Sequence, residues 1–359
     1  MALFGMFKKD KESKKLPKGF YEIPVAAVEK LTADTVKITL DVPAELKAEF
    51  QFIPGQYITV SIEKDGKDEH RSYSICSGPS EPISFAAKAV KGGNISIWLN
   101  ENVLPGSILA ISKPVGNFIL KDSDKTVVAI AAGSGITPMM SIAKAIETRG
   151  GKMNLFFGNR TKESTIFHQE INNLTHTSAT YFLTNEEVEG YEFGRIDKDS
   201  FSTRIKANLD LLKADAFFIC GPEQMILDIS STLEFFGVAK SKIHFELFTT
   251  PVLMAQKETV VTSSFDGESK VKAILDGEVV EFSLKTKGKS LLEASETAGL
   301  DAPYSCKGGV CCSCKAKIIK GTAMMTVNMS LTDKEIQDGY ILTCQAHPTS
   351  EELTFSYDA

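Results

Sequence analysis

The chain has 359 residues, of which 43% are hydrophobic and 24% charged, and its formal net charge is −6. This length favours two or three domains that bury their cores without disulfides. The acidic balance argues against a general nucleic-acid binder, and no run approaches the ~18 apolar residues that cross a bilayer. Met1–Phe7 is apolar, but its lysines follow it, whereas a secretory signal places positive charges first. We therefore expect a flexible tail over 1–18 and a cytoplasmic protein.

Residues 19–122 alternate between apolar and polar positions, as half-buried strands do. Val36–Leu40 and Tyr57–Ile62 are the clearest strands, and Pro54-Gly55 marks a turn before the second. Several short strands at this spacing predict an antiparallel β-barrel.

Residues 123–248 instead alternate buried strands with helices, which predicts an α/β domain with a parallel sheet and right-handed crossovers. Thr126–Ala131 is the first predicted strand, and a glycine turn and a helix over 137–148 follow it. Met153–Phe157 and Ala216–Cys220 are later strands.

Residues 249–258 show no period and are the predicted linker. The last stretch, 259–359, contains a hairpin at Asp276-Gly277, a short helix near 291–298 and a cysteine-rich loop. It is the third predicted domain, an α+β domain with a β-grasp fold.

Five of the seven cysteines lie at or beyond residue 306. Four of them form C-x4-C-x2-C-x29-C, the plant-type ligand spacing of a [2Fe–2S] cluster, namely Cys306, Cys311, Cys314 and Cys344. Gly308 and Gly309 allow the backbone to approach the sulfurs. Structural zinc, the alternative, usually uses two C-x2-C knuckles or a Cys/His mixture. Choosing Cys312 as a ligand would break both spacings, so we interpret it as a bystander.

A flavin-binding pattern occurs in the barrel region. In Arg71-Ser72-Tyr73-Ser74, Arg71 and Tyr73 share one side of the strand. The guanidinium suits a diphosphate, the Tyr73 ring suits an isoalloxazine face, and the Ser74 hydroxyl suits a hydrogen bond near flavin N5. A surface Arg beside a core Tyr is the alternative. Two further segments favour the flavin: the predicted phosphate site at a helix start with Gly93, Asn94 and Ser96, and Gly116, where a flat ring can approach.

A nicotinamide-binding pattern follows in the α/β region. Gly133-Ser134-Gly135-Ile136-Thr137-Pro138 follows a buried strand and opens a helix, whose N-terminus favours a pyrophosphate. The second strand ends at Gly158-Asn159-Arg160, where NAD-selective Rossmann enzymes place an acidic side chain instead. A cation there suits a 2′-phosphate, so we expect NADPH, with NADH as the alternative. Cys220-Gly221-Pro222 follows a later strand.

In this order, these residues resemble the ferredoxin–NADP reductase superfamily over roughly 20–248. The resemblance implies an FAD-binding barrel, because the helix start at Gly93 looks like the family's diphosphate site, and an NADP-binding domain whose motif reads G-x-G-x-x-P. It places the Cys220 thiol near the nicotinamide, Glu246 in proton handling and Phe248 over a ring face. The catalytic residues implied are Ser74, Cys220 and Glu246.

A reductase followed by a plant-type ferredoxin domain is similar to the reductase subunit of phenylacetyl-CoA epoxidase and other oxygenase reductases. The resemblance implies a diiron oxygenase as partner, with electrons passing from NAD(P)H through flavin and cluster. Two alternatives stay open. One is a reductase for a separate ferredoxin, flavodoxin or hybrid-cluster protein. The other is a non-catalytic iron–sulfur sensing protein.

Overall fold

The computed structural model describes residues 16–64, 66–249 and 265–359. The predicted tail lies outside the described residues up to position 15, and the predicted linker lies outside them beyond Thr249. Within these ranges, no helix is both long and apolar enough to cross a membrane.

The first sheet is antiparallel and closes on itself. Its strands are β1 (Phe20–Thr32), β2 (Thr35–Leu40), β3 (Tyr57–Lys64), β4 (Lys67–Ser74), β5 (Ser84–Lys88) and β6 (Ile108–Ser112). They pair in the order β4-β3-β6-β1-β2-β5, and a bridge between Ile75 and Phe85 joins the two edges. Helix α1 (Asn94–Asn102) precedes β6. The inward positions are apolar and fully buried, for example Ile38 and Ile58, so closure both builds a core and removes the free edges.

The second sheet is parallel. Its strands are β7 (Thr126–Ala132), β8 (Lys152–Asn159), β9 (Thr177–Leu183), β10 (Glu192–Phe193), β11 (Ala216–Cys220) and β12 (Ile243–Glu246), and its helices are α2 (Ile136–Arg149), α3 (His168–Asn172), α4 (Lys198–Ala207) and α5 (Glu223–Phe235). The order is β10-β9-β8-β7-β11-β12. The chain therefore builds outward from β7 in one direction, then returns to its other side with β11. This reversal makes a switch point between β7 and β11, where α/β proteins bind ligands.

The third sheet is mixed. Its domain contains β13 (Glu268–Leu275), β14 (Glu278–Lys285), α6 (Leu291–Thr297), β15 (Lys315–Lys320), β16 (Ala323–Met325), α7 (Asp333–Gln337), β17 (Tyr340–Leu342), β18 (Ala346–Pro348) and β19 (Glu352–Ser356). Five strands pair in the order β14-β13-β19-β15-β17, with β13 and β19 parallel, and β16 pairs with β18. The cysteine-rich loop over 298–314, hereafter the cluster loop, joins α6 to β15.

The predicted fold classes of all three regions are confirmed, with small differences at element ends. The helix predicted over 137–148 runs from Ile136 to Arg149. Gly150 ends it in the left-handed conformation, with φ of 66°, which glycine adopts without steric cost.

A partly buried ion network joins the barrel to the parallel sheet. Lys144 of α2 donates to Glu81 of the barrel at 2.8 Å and lies 2.7 Å from Glu170 of α3, and its side chain is only 11% exposed. Although burial lowers it, the two carboxylates hold the pKa of Lys144 above its ordinary value. Burial raises the pKa of Glu81, but hydrogen bonds from Lys144 and the Gly78 N–H outweigh it and leave that pKa below its usual value.

We expect Lys144→Met to lower the free energy of unfolding by about 1–3 kcal/mol at neutral pH, because two carboxylates lose their shared cation. A carboxyl whose pKa is lowered by folding stabilises the folded state above its unfolded pKa. The difference from wild type should therefore shrink as the pH falls through the ordinary value of 4.5 for Glu81. Urea unfolding followed by circular dichroism checks both points, with Lys152→Met, an exposed lysine, as the control. An equal loss of stability in the two variants would contradict the role of the network.

Candidate functional site

Two loops meet at the switch point of the parallel sheet. Gly133–Gly135 forms one turn between β7 and α2, and a Cβ added to Gly135 would lie 2.1 Å from the Cys220 carbonyl oxygen. Thr137 is buried, and its hydroxyl donates to the Ser134 carbonyl at 3.1 Å. Only glycine can therefore occupy position 135, and the turn packs directly against fully buried Cys220. The N-terminus of α2 opens at the same place, which suits a phosphate group.

The remaining predicted nicotinamide residues lie along the same edge of the sheet. Pro138 is buried in the first turn of α2, and Gly221 and Pro222 connect β11 to α5. Asn159 ends β8; it is buried, and its side-chain nitrogen has no partner among the described residues. Arg160 follows it and is exposed. The structure thus brings these positions to one edge, and their roles in binding stay predictions.

The three predicted catalytic residues come together although two domains supply them. The Ser74 hydroxyl, at the end of β4, donates to Glu246 Oε2 at 3.2 Å. Glu246 ends β12 and is the register neighbour of Cys220 on β11. Burial raises the pKa of Glu246 to about 8, against the hydrogen bond from Ser74, and burial followed by the nearby Glu246 raises the pKa of Cys220. The site therefore favours a neutral carboxylic acid and a neutral thiol at pH 7.

Arg71 and Tyr73 lie on β4, and the Tyr73 ring packs against Phe85 of the barrel core. They share a strand face with Glu69, whose carboxylate accepts from the Asn94 side chain at 2.8 Å. Arg71 is exposed on that face. The Asn94 side chain is thus already engaged, and the Ser96 hydroxyl accepts the Val90 N–H at 3.2 Å. At this helix start the backbone N–H groups of the first turn are the groups best suited to a phosphate.

Three other predicted FAD residues have different surroundings. The Ser72 hydroxyl lies 2.8 Å from that of Ser305, so it contacts the third domain instead of the α1 face. Phe248 follows the end of β12 and is 45% exposed. Gly116 packs against the ring of Tyr57, which a Cβ there would approach to 3.0 Å. The structure therefore separates Ser72 from Arg71 and Tyr73.

The four predicted cluster ligands form two pairs. The Cys306 and Cys311 sulfurs lie 3.1 Å apart, and Cys314 shares a hydrogen bond with Cys344. Within the described ranges, no three His, Cys, Asp or Glu side chains are grouped as ligands of a single metal ion would be. Two thiol pairs match the needs of two bridged irons, each of which takes two cysteines.

The loop around these thiols is shaped for close backbone approach. The Gly308 N–H donates to the Cys306 sulfur at 3.3 Å. Lys307 has a positive φ of 51°, and its Nζ binds Glu296 at 3.0 Å over the Tyr304 ring. Cys311, Cys314 and Cys344 are buried. This donor set and its N–H contact fit an iron–sulfur cluster. Cys312 belongs to neither pair, and its thiol faces the Ser330 carbonyl at 3.7 Å.

All three domains line a cavity of about 300 Å³. Its walls include Gly116 and Phe118 of the barrel, Glu246 of the parallel sheet, and Cys311 and Cys312 of the cluster loop. The cavity is thus lined by Glu246 of the predicted hydride site, which consists of Ser74, Cys220 and Glu246, and by residues of the predicted cluster loop.

Sequence reasoning missed several residues at this junction. The Tyr57 hydroxyl accepts the Cys312 N–H at 2.9 Å, and the Asn117 side chain donates to the Ser330 carbonyl at 3.0 Å. In the sequence Tyr57 is one more apolar position of an alternating strand. No local pattern indicates that its hydroxyl meets a loop 255 residues away.

Three family models match successive parts of the chain. An oxidoreductase FAD-binding domain covers residues 22–119, an oxidoreductase NAD-binding domain covers 129–231, and a 2Fe-2S iron-sulfur cluster binding domain covers 273–349. These matches confirm the predicted cofactors FAD and [2Fe–2S] and a nicotinamide nucleotide.

Relatives and a solved structure match nearly the whole chain. The chain is 36% identical to a subunit of 1,2-phenylacetyl-CoA epoxidase from Escherichia coli (strain K12), over 95% of this chain and 98% of that protein. It is 32% identical to the ferredoxin reductase component of 3-ketosteroid-9-alpha-monooxygenase from Rhodococcus rhodochrous, over 93% and 96%. Phthalate dioxygenase reductase has the same fold, with a TM-score of 0.59 at 23% identity over 95% of this chain and 100% of that one.

We expect Cys344→Ser to lose most of its iron, its sulfide and its visible iron–sulfur absorption, because one iron would keep a single thiolate. Cys312→Ser is the matched control and should keep all three. Iron and sulfide analysis of the purified variants, with visible spectra, makes the comparison. Full cluster content in the Cys344 variant would overturn the ligand assignment.

We expect the rate of flavin reduction to fall as the pH rises through about 8. The reason is that an ionised Glu246 carboxylate would place a negative charge beside the flavin, which gains negative charge when it accepts hydride. Glu246→Gln cannot titrate and should lose this pH dependence, whereas Glu234→Gln, at an exposed glutamate of α5, should keep it. Stopped-flow flavin absorbance between pH 6 and 10 is the measurement. A pH profile that is the same in wild type and Glu246→Gln would show that another group titrates.

Proposed function

Because this chain belongs to the family of oxygenase reductases that combine FAD-binding, NAD-binding and [2Fe–2S] domains, we propose that it reduces a diiron oxygenase with electrons from NADPH. The chain is an NAD(P)H-dependent oxidoreductase. The proposal adds the preferred nucleotide, the route through the molecule and the partner.

The observation that best supports the proposed electron route is the cavity that all three domains line. Glu246 of the parallel sheet lines it and accepts a hydrogen bond from Ser74 of the barrel, and Cys311 and Cys312 of the cluster loop line it as well. Because Glu246 is the register neighbour of Cys220 and the hydrogen-bond partner of Ser74, a nicotinamide at the switch point and a flavin beside Ser74 would both lie close to this space. An iron–sulfur cluster held by the paired cysteines would border the same space, so electrons need travel only a short distance.

FAD, when bound, supplies the chemistry that accepts a two-electron hydride and gives electrons up one at a time. The chain's own residues supply binding and surroundings. Arg71 and the start of α1 suit the FAD diphosphate, and the turn at Gly133–Gly135 with the start of α2 suits the nucleotide pyrophosphate. Ser74 and Glu246 hold a proton between them, and buried Cys220 keeps water from the nicotinamide side.

The position of Arg160 supports NADPH over NADH. It is exposed directly after β8, next to the strand that carries the glycine turn. This is the edge position where Rossmann proteins contact the ribose hydroxyls or the 2′-phosphate. A guanidinium there binds a phosphate more strongly than an uncharged hydroxyl.

The relatives' names support an oxygenase as the partner. They are components of an epoxidase and of a monooxygenase, and the 36% identity extends over nearly the whole of both chains in the first case. The cluster within this chain already gives a one-electron output, so a separate ferredoxin is not needed. A diiron oxygenase of the phenylacetyl-CoA epoxidase kind is therefore our preferred acceptor.

Anaerobic titration of the purified protein with NADPH tests the route. We expect flavin bleaching and then a rhombic electron paramagnetic resonance signal from the reduced cluster. Reconstitution then compares a phenylacetyl-CoA epoxidase oxygenase component with a separate plant-type ferredoxin as acceptors. Product formation with the oxygenase supports the proposal, and fast reduction of the ferredoxin alone would favour the alternative acceptor. Bleaching that leaves the cluster oxidised would contradict the route itself.

We expect Arg160→Ala to lower kcat/KM for NADPH by about 10- to 100-fold, the range of a lost hydrogen bond to a charged group. The value for NADH should change little, because NADH has no 2′-phosphate. Arg149→Ala, at the opposite edge of the sheet, is the control. Equal losses with both nucleotides would rule out the proposed phosphate contact.

A further inference from the structure

Tyr57 is built rigidly into the barrel where the barrel meets the third domain. It begins β3 and is 4% exposed. Its backbone N–H and C=O both bond to Val115 at 2.9 Å. Its ring covers Gly116, where even a Cβ would be only 3.0 Å away. The ring position is therefore fixed by the backbone pairing of Tyr57 with Val115 and by the close packing against Gly116.

The same residue stands beside the predicted hydride site. Tyr57 is paired directly with Ser74 across β3 and β4. Residues paired in this way project from the same face of the sheet, with Cβ atoms ~4.5–5.5 Å apart. Ser74 is the residue that donates to Glu246.

The hydroxyl of Tyr57 ends on the cluster loop. It accepts the Cys312 N–H at 2.9 Å, and Cys312 lies between the predicted ligands Cys311 and Cys314. One rigid side chain thus spans from the Ser74 side of the barrel to the backbone of the cluster loop.

The other contacts between the barrel and the third domain do not reach the backbone between the predicted ligands. Ser72 meets Ser305, and Tyr304 donates to the Asp68 carbonyl at 3.0 Å, both ahead of Cys306 in the chain. Asn117 reaches the Cys312 sulfur at 3.8 Å from an exposed position. Tyr57 is the buried contact that holds the backbone between the ligands.

We propose that Tyr57 is a positioning residue for electron transfer from the flavin to the cluster, acting through its hydrogen bond to the Cys312 amide. The inference rests on the proposed electron route. The hydride of NADPH carries two electrons and a proton to the flavin, and NADP+ leaves. The two electrons then pass to the cluster one at a time, and the proton is released to solvent as the flavin is reoxidised. The cluster passes each electron to the external acceptor before it takes the next. The Tyr57 contact affects only the step into the cluster.

Tyr57→Phe removes the hydroxyl and keeps the ring over Gly116. We expect cluster reduction after NADPH mixing to slow by about two- to tenfold, the range expected for losing one neutral hydrogen bond that favours the docked loop. Flavin reduction by NADPH should be unchanged. Stopped-flow spectra separate the two steps, and rapid-freeze electron paramagnetic resonance counts reduced clusters.

A second readout does not depend on turnover. Hydrogen–deuterium exchange should be faster in the segment 306–314 of Tyr57→Phe, because the Cys312 N–H loses its acceptor. Tyr21→Phe is the matched control, since it also removes a tyrosine hydroxyl from the barrel, one that donates to Glu49 at 3.1 Å. It should leave both rates and the exchange unchanged. Ser305→Ala tests the neighbouring contact and should affect the cluster segment less.

The possible outcomes are distinct. Slower cluster reduction with normal flavin reduction and faster exchange supports the proposal. Unchanged cluster reduction and exchange in Tyr57→Phe, or an equal slowing of both steps, overturns it. If wild type itself bleaches without reducing its cluster, the proposed route fails instead, and the exchange data still report whether Tyr57 holds the loop.

Discussion

The contact between Ser74 and Glu246 is the interaction on which the site depends. It joins the end of a barrel strand to the carboxyl edge of the parallel sheet, 172 positions later in the chain. A nicotinamide and a flavin can exchange hydride only if their domains keep a fixed separation of about 3–3.5 Å between the reacting atoms. The Lys144 network stabilises the same docking from α2, at some distance from the chemistry. Both contacts are polar and partly or wholly buried, so they require one particular arrangement of the two domains.

The third domain adds a second constraint. Val310 of the cluster loop and Met329 pack against the apolar core around Leu247 of the parallel sheet, while Tyr57 holds the Cys312 amide from the barrel side. The cluster loop therefore contacts both of the other domains. Apolar packing is non-directional, whereas a hydrogen bond sets orientation. Together these contacts fix how far the cluster loop lies from the other two domains and how it is oriented relative to them.

Burial also sets the chemistry of the site. The carboxyl of Glu246 and the thiol of Cys220 end neighbouring strands, and burial raises the pKa of both. A neutral acid and a neutral thiol suit a site that receives hydride, because a fixed anion would need water or a cation beside it. These groups lie on loops and strand ends carried by common folds, so function here follows from the site and not from the fold alone.

Much of the site could be predicted from short segments. The cysteine spacing, the glycine turn and the Arg71–Ser74 motif are each local, and each keeps its geometry because a single loop or strand builds it. The predictions were least complete where a side chain meets another part of the chain. Alternation correctly placed Arg71 and Tyr73 on one strand face, but it could not show that Ser72 faces Ser305. It also could not show that Glu69 engages Asn94.

The sequence by itself determined the three fold classes, the cofactors and the chain order of their binding segments. The fold classes depend on periodicity and the cluster on residue spacing within one loop, whereas the flavin and the nicotinamide depend on motifs that resemble a known family. Only the tertiary structure decided that Glu246 reaches Ser74, that the thiols form two pairs and that Tyr57 meets Cys312. Such contacts depend on how whole domains pack, which is set by many distributed apolar surfaces. No single segment of the sequence therefore predicts how the domains pack.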